Sequence, residues 1–136
     1  MKLDSIVPNA HYDNEHGQPK VIEKDNDGSF LYRYNIKPEM KIPEGEEEEK
    51  QVGFSCCEIR VWEHPTKPVL KKAIIRSVID ETAEFDLVNS YNAAQEGMLD
   101  EAEAARAIAD YRAYLRRVQE IKTNAKADLA AAGYTD

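Results

Sequence analysis

The chain has 136 residues, 26 acidic and 18 basic side chains, a formal net charge of −8 and two cysteines. A domain of this size buries about two thirds of its unfolded surface, so no disulfide or structural metal is needed for folding. Arg112, Arg116 and Arg117 make a small basic patch that, with Asp110 and Glu120 nearby, reads as a solvated helix face, so this acidic chain is a poor phosphate-backbone binder; no stretch approaches the ~20 apolar residues of a membrane span. The expected partners are therefore proteins, with no nucleic acid and no membrane.

Met1-Lys2 leads into Leu3-Asp4-Ser5-Ile6-Val7-Pro8 without the apolar core of a secretory leader, which gives a soluble protein of the cytoplasm as the expectation. His11-Tyr12-Asp13-Asn14-Glu15-His16 reads as a polar loop. Its two imidazoles and two carboxylates give the alternative function: a small metal-binding module or metal-dependent enzyme built on His11, Asp13 and His16. Neither a helical HExxH spacing nor a remote third ligand accompanies them.

Lys20–Lys24 and Phe30–Ile36 form a predicted hairpin through Asp25-Asn26-Asp27-Gly28, and Phe30, Tyr32, Tyr34 and Ile36 follow the period-2 pattern of a half-buried strand. Asp25-x-Asp27-Gly28 also matches a fragment of a calcium loop, but Phe30, Leu31 and Tyr32 stand where further oxygen ligands are required. Pro38 to Lys50, with the run Glu46-Glu47-Glu48-Glu49, is predicted to be an acidic, self-repelling loop. A third, central strand spans Val52 to Trp62, because both of its faces carry apolar residues. Within it Cys56 and Cys57 point to opposite faces and cannot pair with each other.

The helical half begins after Pro65. Thr66 is the expected N-cap of a helix carrying Leu70, Ala73, Ile74, Val78 and Ile79, with Pro68 tolerated in its first turn. Thr82 is the expected cap of a second helix with Phe85, Leu87, Val88 and Tyr91, ending at Gly97. Asp100, with Glu103 three residues on, opens a third helix through Ala132, stopped by Gly133. At ~1.5 Å per residue that helix is about 48 Å long, against a diameter of roughly 37 Å for a compact chain of this length, so it is expected to overhang. Its apolar stripe runs through Ala104, Ile108, Tyr111, Leu115, Val118, Ala125 and Leu129, broken once by Lys122. Either the Lys67–Gly97 segment of the same chain or a second copy must cover it.

The fold class is thus α+β: a small antiparallel sheet of about three strands followed by three helices. We read residues 1–136 as one domain, with a β-rich half at 1–66 that includes the acidic loop 38–50, and a helical half at 67–136.

Three segments carry a resemblance: Gly53-Phe54-Ser55-Cys56-Cys57-Glu58-Ile59-Arg60-Val61-Trp62; Leu70-Lys71-Lys72-Ala73-Ile74-Ile75-Arg76; and Asn89-Ser90-Tyr91-Asn92 with the Tyr111–Asp128 helix. From about Gly53 onward the chain resembles small accessory proteins encoded in bacteriophage and prophage structural-gene regions. That resemblance implies a virion or assembly role and brings with it no active-site residue. The sequence holds no Gly-rich phosphate loop, no nucleophile elbow and no cysteine with a recognisable base. The expected function is accordingly non-enzymatic and cofactor-free, with Ile108, Tyr111, Leu115 and Val118 as the docking or self-association surface. Location in the host cytoplasm or in a virion follows from that reading.

Overall fold

The computed structural model describes residues 7–134, so the Met1–Ile6 part of the leader reading lies outside the described residues. Four strands, β1 (Ala10–Asp13), β2 (Ile22–Lys24), β3 (Phe30–Lys41) and β4 (Lys50–Val61), precede three helices, α1 (Lys67–Val78), α2 (Glu81–Gln95) and α3 (Glu101–Ala131). The strands form one antiparallel sheet in the order β1-β4-β3-β2. The α+β class holds, with four strands in place of three.

The additional strand is the segment read as a polar loop. Ala10 and Tyr12 turn toward the sheet while His11 and Asp13 stay exposed, and the segment pairs with Gly53–Cys56 of β4. Gly53 permits this pairing, since a Cβ at that position would lie 2.0 Å from the Tyr12 carbonyl oxygen. β4 is central, as its two apolar faces required. The β2–β3 hairpin turns at Asp25–Gly28, where Gly28 adopts φ 89° and Asp27 accepts hydrogen bonds from the Ser29 backbone and hydroxyl.

The acidic loop is shorter than expected. Pro38–Lys41 belong to β3 and Lys50 to β4, leaving Ile42–Glu49 as the connection. Proline is tolerated there because β2 has already ended: beyond it β3 is an edge strand with no neighbour on that side requiring an N–H. Asn35, at φ 53°, marks an irregularity in the β3–β4 register between Tyr34 and Lys37.

One hydrophobic core joins the two halves of the chain. Phe30, Tyr32, Tyr34, Cys57 and Val61 on the inner face of the sheet meet Leu70, Ile74 and Ile75 of α1 and Val118, Ile121, Ala125 and Leu129 of α3. Tyr32 carries its hydroxyl into this layer and donates it to Asp128 Oδ2 at 2.5 Å. The outer face is polar. Arg33, only 5% exposed, donates to Glu58, Glu23, the Tyr12 hydroxyl and the Lys20 carbonyl, and its guanidinium lies 4.9 Å from the centroid of the Tyr12 ring. Burial alone would lower its pKa, but these acceptors outweigh that and raise it. Cys56 and Cys57 are free, buried on opposite faces, and pushed up by burial away from thiolate chemistry.

Each helix starts on a side-chain cap. Thr66 caps α1 and Asp100 caps α3, as the sequence indicated. For α2 the cap is Asp80, whose carboxylate accepts from the Ala83 amide, and Thr82 lies inside the helix. The sequence reading erred because Asp80 and Thr82 are both good caps, and the extended conformation of Ile79 and Asp80 decided between them.

Candidate protein-interaction surface

α3 outruns the sheet. Its second part crosses the inner face from Arg117, beside Tyr34 and Asn35, to Leu129 and on to Tyr134, which packs against Phe30 and His64. The first thirteen residues of the helix, about 20 Å, extend past the end of the core, to which Tyr114 still packs. α2 returns along this extension and packs chiefly on α3, so the same chain covers the overhang. The two form an antiparallel helical hairpin held to the core at one end.

Toward its C-terminus the packing stripe keeps Val118, Ala125 and Leu129 as expected, with Ile121 taking the place broken by Lys122; only in the first half of the helix is it rotated, onto Ala107 and Tyr114. Ala107, Val118, Ile121, Ala125 and Leu129 are buried, with Tyr114 packed against the core. Of the four residues singled out, Val118 sits in the sheet–helix core, Tyr111 stacks on Tyr91 of α2 at 4.3 Å between ring centroids, Ile108 is half-buried and Leu115 is 40% exposed. They therefore do not form one surface. Ala107 marks the true contact line in that first half, and a small residue gives little hydrophobic signal in a sequence.

α2 is the less satisfied partner. None of its residues is fully buried, and Phe85, its largest apolar side chain, is 66% exposed. Two packed helices each leave part of an apolar arc to solvent. By helical position Phe85 and Val88 on α2 and Ile108 and Leu115 on α3 share the edge turned away from a groove on the hairpin's other side. That second groove has a volume of about 370 Å³, a floor of Ala83, Leu87, Leu99 and Ala107, and a rim of Asp86, Glu103, Arg106 and Asp110.

A polar junction fixes the hairpin to the core. Glu84 of α2 accepts from Arg76 Nη2 of α1 at 2.8 Å and from the Tyr114 hydroxyl of α3. Burial opposes ionisation of Glu84, yet these two donors hold its carboxyl below the usual range. Burial, followed by the Glu84 acceptor, pushes the Tyr114 hydroxyl up.

Charge is segregated in a way that the linear sequence hides. α1 carries Lys67, Lys71, Lys72 and Arg76 and no acidic residue, and α3 from Tyr111 to Leu129 carries Arg112, Arg116, Arg117, Lys122 and Lys126 against Glu120 and Asp128. Folding lays these helices side by side on the sheet, which adds the α1 cations to the small basic patch of Arg112, Arg116 and Arg117 on α3. Among the described residues Lys71, Lys72, Lys122 and Lys126 have no carboxylate within salt-bridge distance, whereas Arg76 pairs with Glu84 and Arg117 with Glu120. The opposite charge collects at the far end of β3–β4, where Glu44 and Glu46 to Glu49 are all exposed.

The metal candidates are dispersed. His11 Nδ1 lies 2.8 Å from Glu39 Oε2, Asp13 accepts from the Glu15 amide, and His16 stands in the exposed turn that follows. Among the described residues no three His, Cys, Asp or Glu side chains converge on a point that would hold an ion. No described helix is long and apolar enough to cross a membrane. No family model matches the sequence, and no curated protein and no solved structure matches it either.

Proposed function

We propose that this protein is a non-enzymatic accessory protein of the phage structural or assembly type, acting through protein–protein contacts made by the α2–α3 hairpin. The observation that carries the reading is the half-covered hairpin: a helix pair extending past the core, with Phe85 66% and Leu115 40% exposed on it. Burying one phenylalanine removes 150–250 Å² from water and supplies a typical anchor for a partner. The phage context rests on the resemblance from Gly53 onward. The placement of His11, Asp13 and His16 gives the metal-centred alternative no comparable support.

Capture of the tagged protein from cells assembling phage particles tests the reading, with F85E/L115E as the control. Recovery of a structural protein in stoichiometric amount with the wild type, and its loss with a folded F85E/L115E variant, is the expected result. Equal recovery with both would remove the hairpin from the function.

A further inference from the structure

We propose that copies of this protein associate head to tail, the glutamate-rich tip of the β3–β4 hairpin of one copy docking in the basic groove between α1 and α3 of the next. The inference shares with the proposed function the premise of action through protein contacts, but it uses different surfaces.

The receiving groove has a volume of about 340 Å³ and combines the cations Lys71, Lys72 and Arg76 with the apolar Pro68, Ile75 and Val118. Lys122 continues the basic row one helical turn beyond Val118. Glu84, the one carboxylate in the lining, is already occupied by Arg76 and Tyr114, whereas Lys71 and Lys72 have no carboxylate partner among the described residues. The groove thus presents uncompensated positive charge over an apolar floor.

The tip has the complementary character. Glu46 pairs with Lys50, while Glu44, Glu47, Glu48 and Glu49 are exposed with no cationic partner among the described residues. Ile42 at its base is 58% exposed and Met40 beside it 47%, so the tip offers apolar anchors together with carboxylates. No strand residue lines the groove, which belongs wholly to the helices; the tip belongs to the sheet layer on the other side of them. A second copy can therefore supply what the same chain cannot.

A second copy also fits better than a nucleic acid. The net charge of −8 opposes approach of a phosphate backbone and of a second copy alike, so the local match decides: the tip brings Ile42 and Met40 to the apolar floor together with its carboxylates, whereas a phosphate backbone has no apolar anchor to offer. Because the two surfaces differ, the contact is heterologous and propagates into a ring or a filament. Charge-driven association of this kind weakens with salt.

Light scattering and sedimentation on the full chain test the proposal, using a tip variant, E47K/E48K/E49K, and a groove variant, K71E/K72E, each verified as folded by circular dichroism. We expect the wild-type mass to rise with concentration in low salt, with affinity falling at least ~10-fold in high salt. Each variant alone should stay monomeric, and an equimolar mixture of the two should associate again, since the reversed tip of one complements the reversed groove of the other. F85E/L115E should still associate. A wild-type monomer at every concentration in low salt would overturn the proposal, as would association lost in F85E/L115E but kept in both charge variants. A wild type that binds a short DNA duplex through Lys71 and Lys72 without self-association would assign the groove to a polyanion instead.

Discussion

Tyr91 of α2 and Tyr111 of α3 stack at 4.3 Å between ring centroids, with their planes 25° apart, and Tyr114 continues the stack from Tyr111. This aromatic column clamps α2 to the part of α3 that has left the sheet. It makes the overhang an ordered element and thereby a usable surface.

Substitutions along α3 should separate by burial. Val118→Ala is expected to cost about 2 kcal/mol and Tyr111→Ala about 2–3 kcal/mol, whereas Leu115→Ala should cost less than about 1 kcal/mol because its side chain is already partly in water. Urea unfolding of the three variants measures the order. A Leu115→Ala variant as unstable as Val118→Ala would contradict the described packing.

Gly53→Ala should shear β1 from the sheet. The added Cβ meets the Tyr12 carbonyl oxygen at 2.0 Å, so backbone must move. We expect a loss of about 2–4 kcal/mol and faster amide exchange in Ala10–Asp13 than in the β3–β4 ladder. Unchanged exchange at β1 would refute the close approach.

Arg33 holds the outer face together, and Arg33→Ala leaves Glu23 and the Tyr12 hydroxyl without the donor they share and Glu58 with the Tyr12 hydroxyl as its remaining donor. The expected cost is about 2–4 kcal/mol, below the full value for a buried pair because both carboxylates are partly exposed. Glu23→Gln, on the more exposed partner, should cost less than about 1 kcal/mol. Denaturant midpoints of both variants check the ranking.

Burial pushes up the hydroxyls of Tyr32, Tyr34 and Tyr114, with Tyr34 reaching about 12. Each folded-state pKa lies above the unfolded value near ~10, so their contribution is fully present below that value and is lost as pH rises from it toward the folded-state values. Stability should therefore decline above about pH 10, and these three tyrosines should escape the first tyrosinate transition of the folded protein. The Y32F/Y34F/Y114F variant identifies them: its absorbance change near pH 10 should match that of the wild type.

What was legible in the sequence was decided by neighbours in the chain. Thr66 and Asp100 cap their helices by bonding amides three residues away, and the Asp25–Gly28 turn closes its own hairpin, so both could be read directly. β1 could not, because a four-residue strand is fixed by a partner more than forty residues distant and by the missing side chain of Gly53. The rotation of the first half of the α3 stripe was hidden by Ala107, whose burial reflects close approach more than hydrophobicity. The basic groove was hidden for a simpler reason: Lys71 and Lys72 lie more than forty residues from Val118 and share a groove with it only when α1 and α3 pack together on the sheet.

The most direct measurement of the central claim is site-specific photo-crosslinking in cells assembling phage particles, with a photoreactive phenylalanine at position 85 or at position 62. Phe85 and Trp62 are almost equally exposed, at 66% and 67%, but Phe85 lies on the helical hairpin and Trp62 at the opposite end of the core. A discrete protein adduct at position 85 and none at position 62 is the predicted result. No adduct at position 85, or the same adducts at both positions, would contradict the assignment of the hairpin as the working surface.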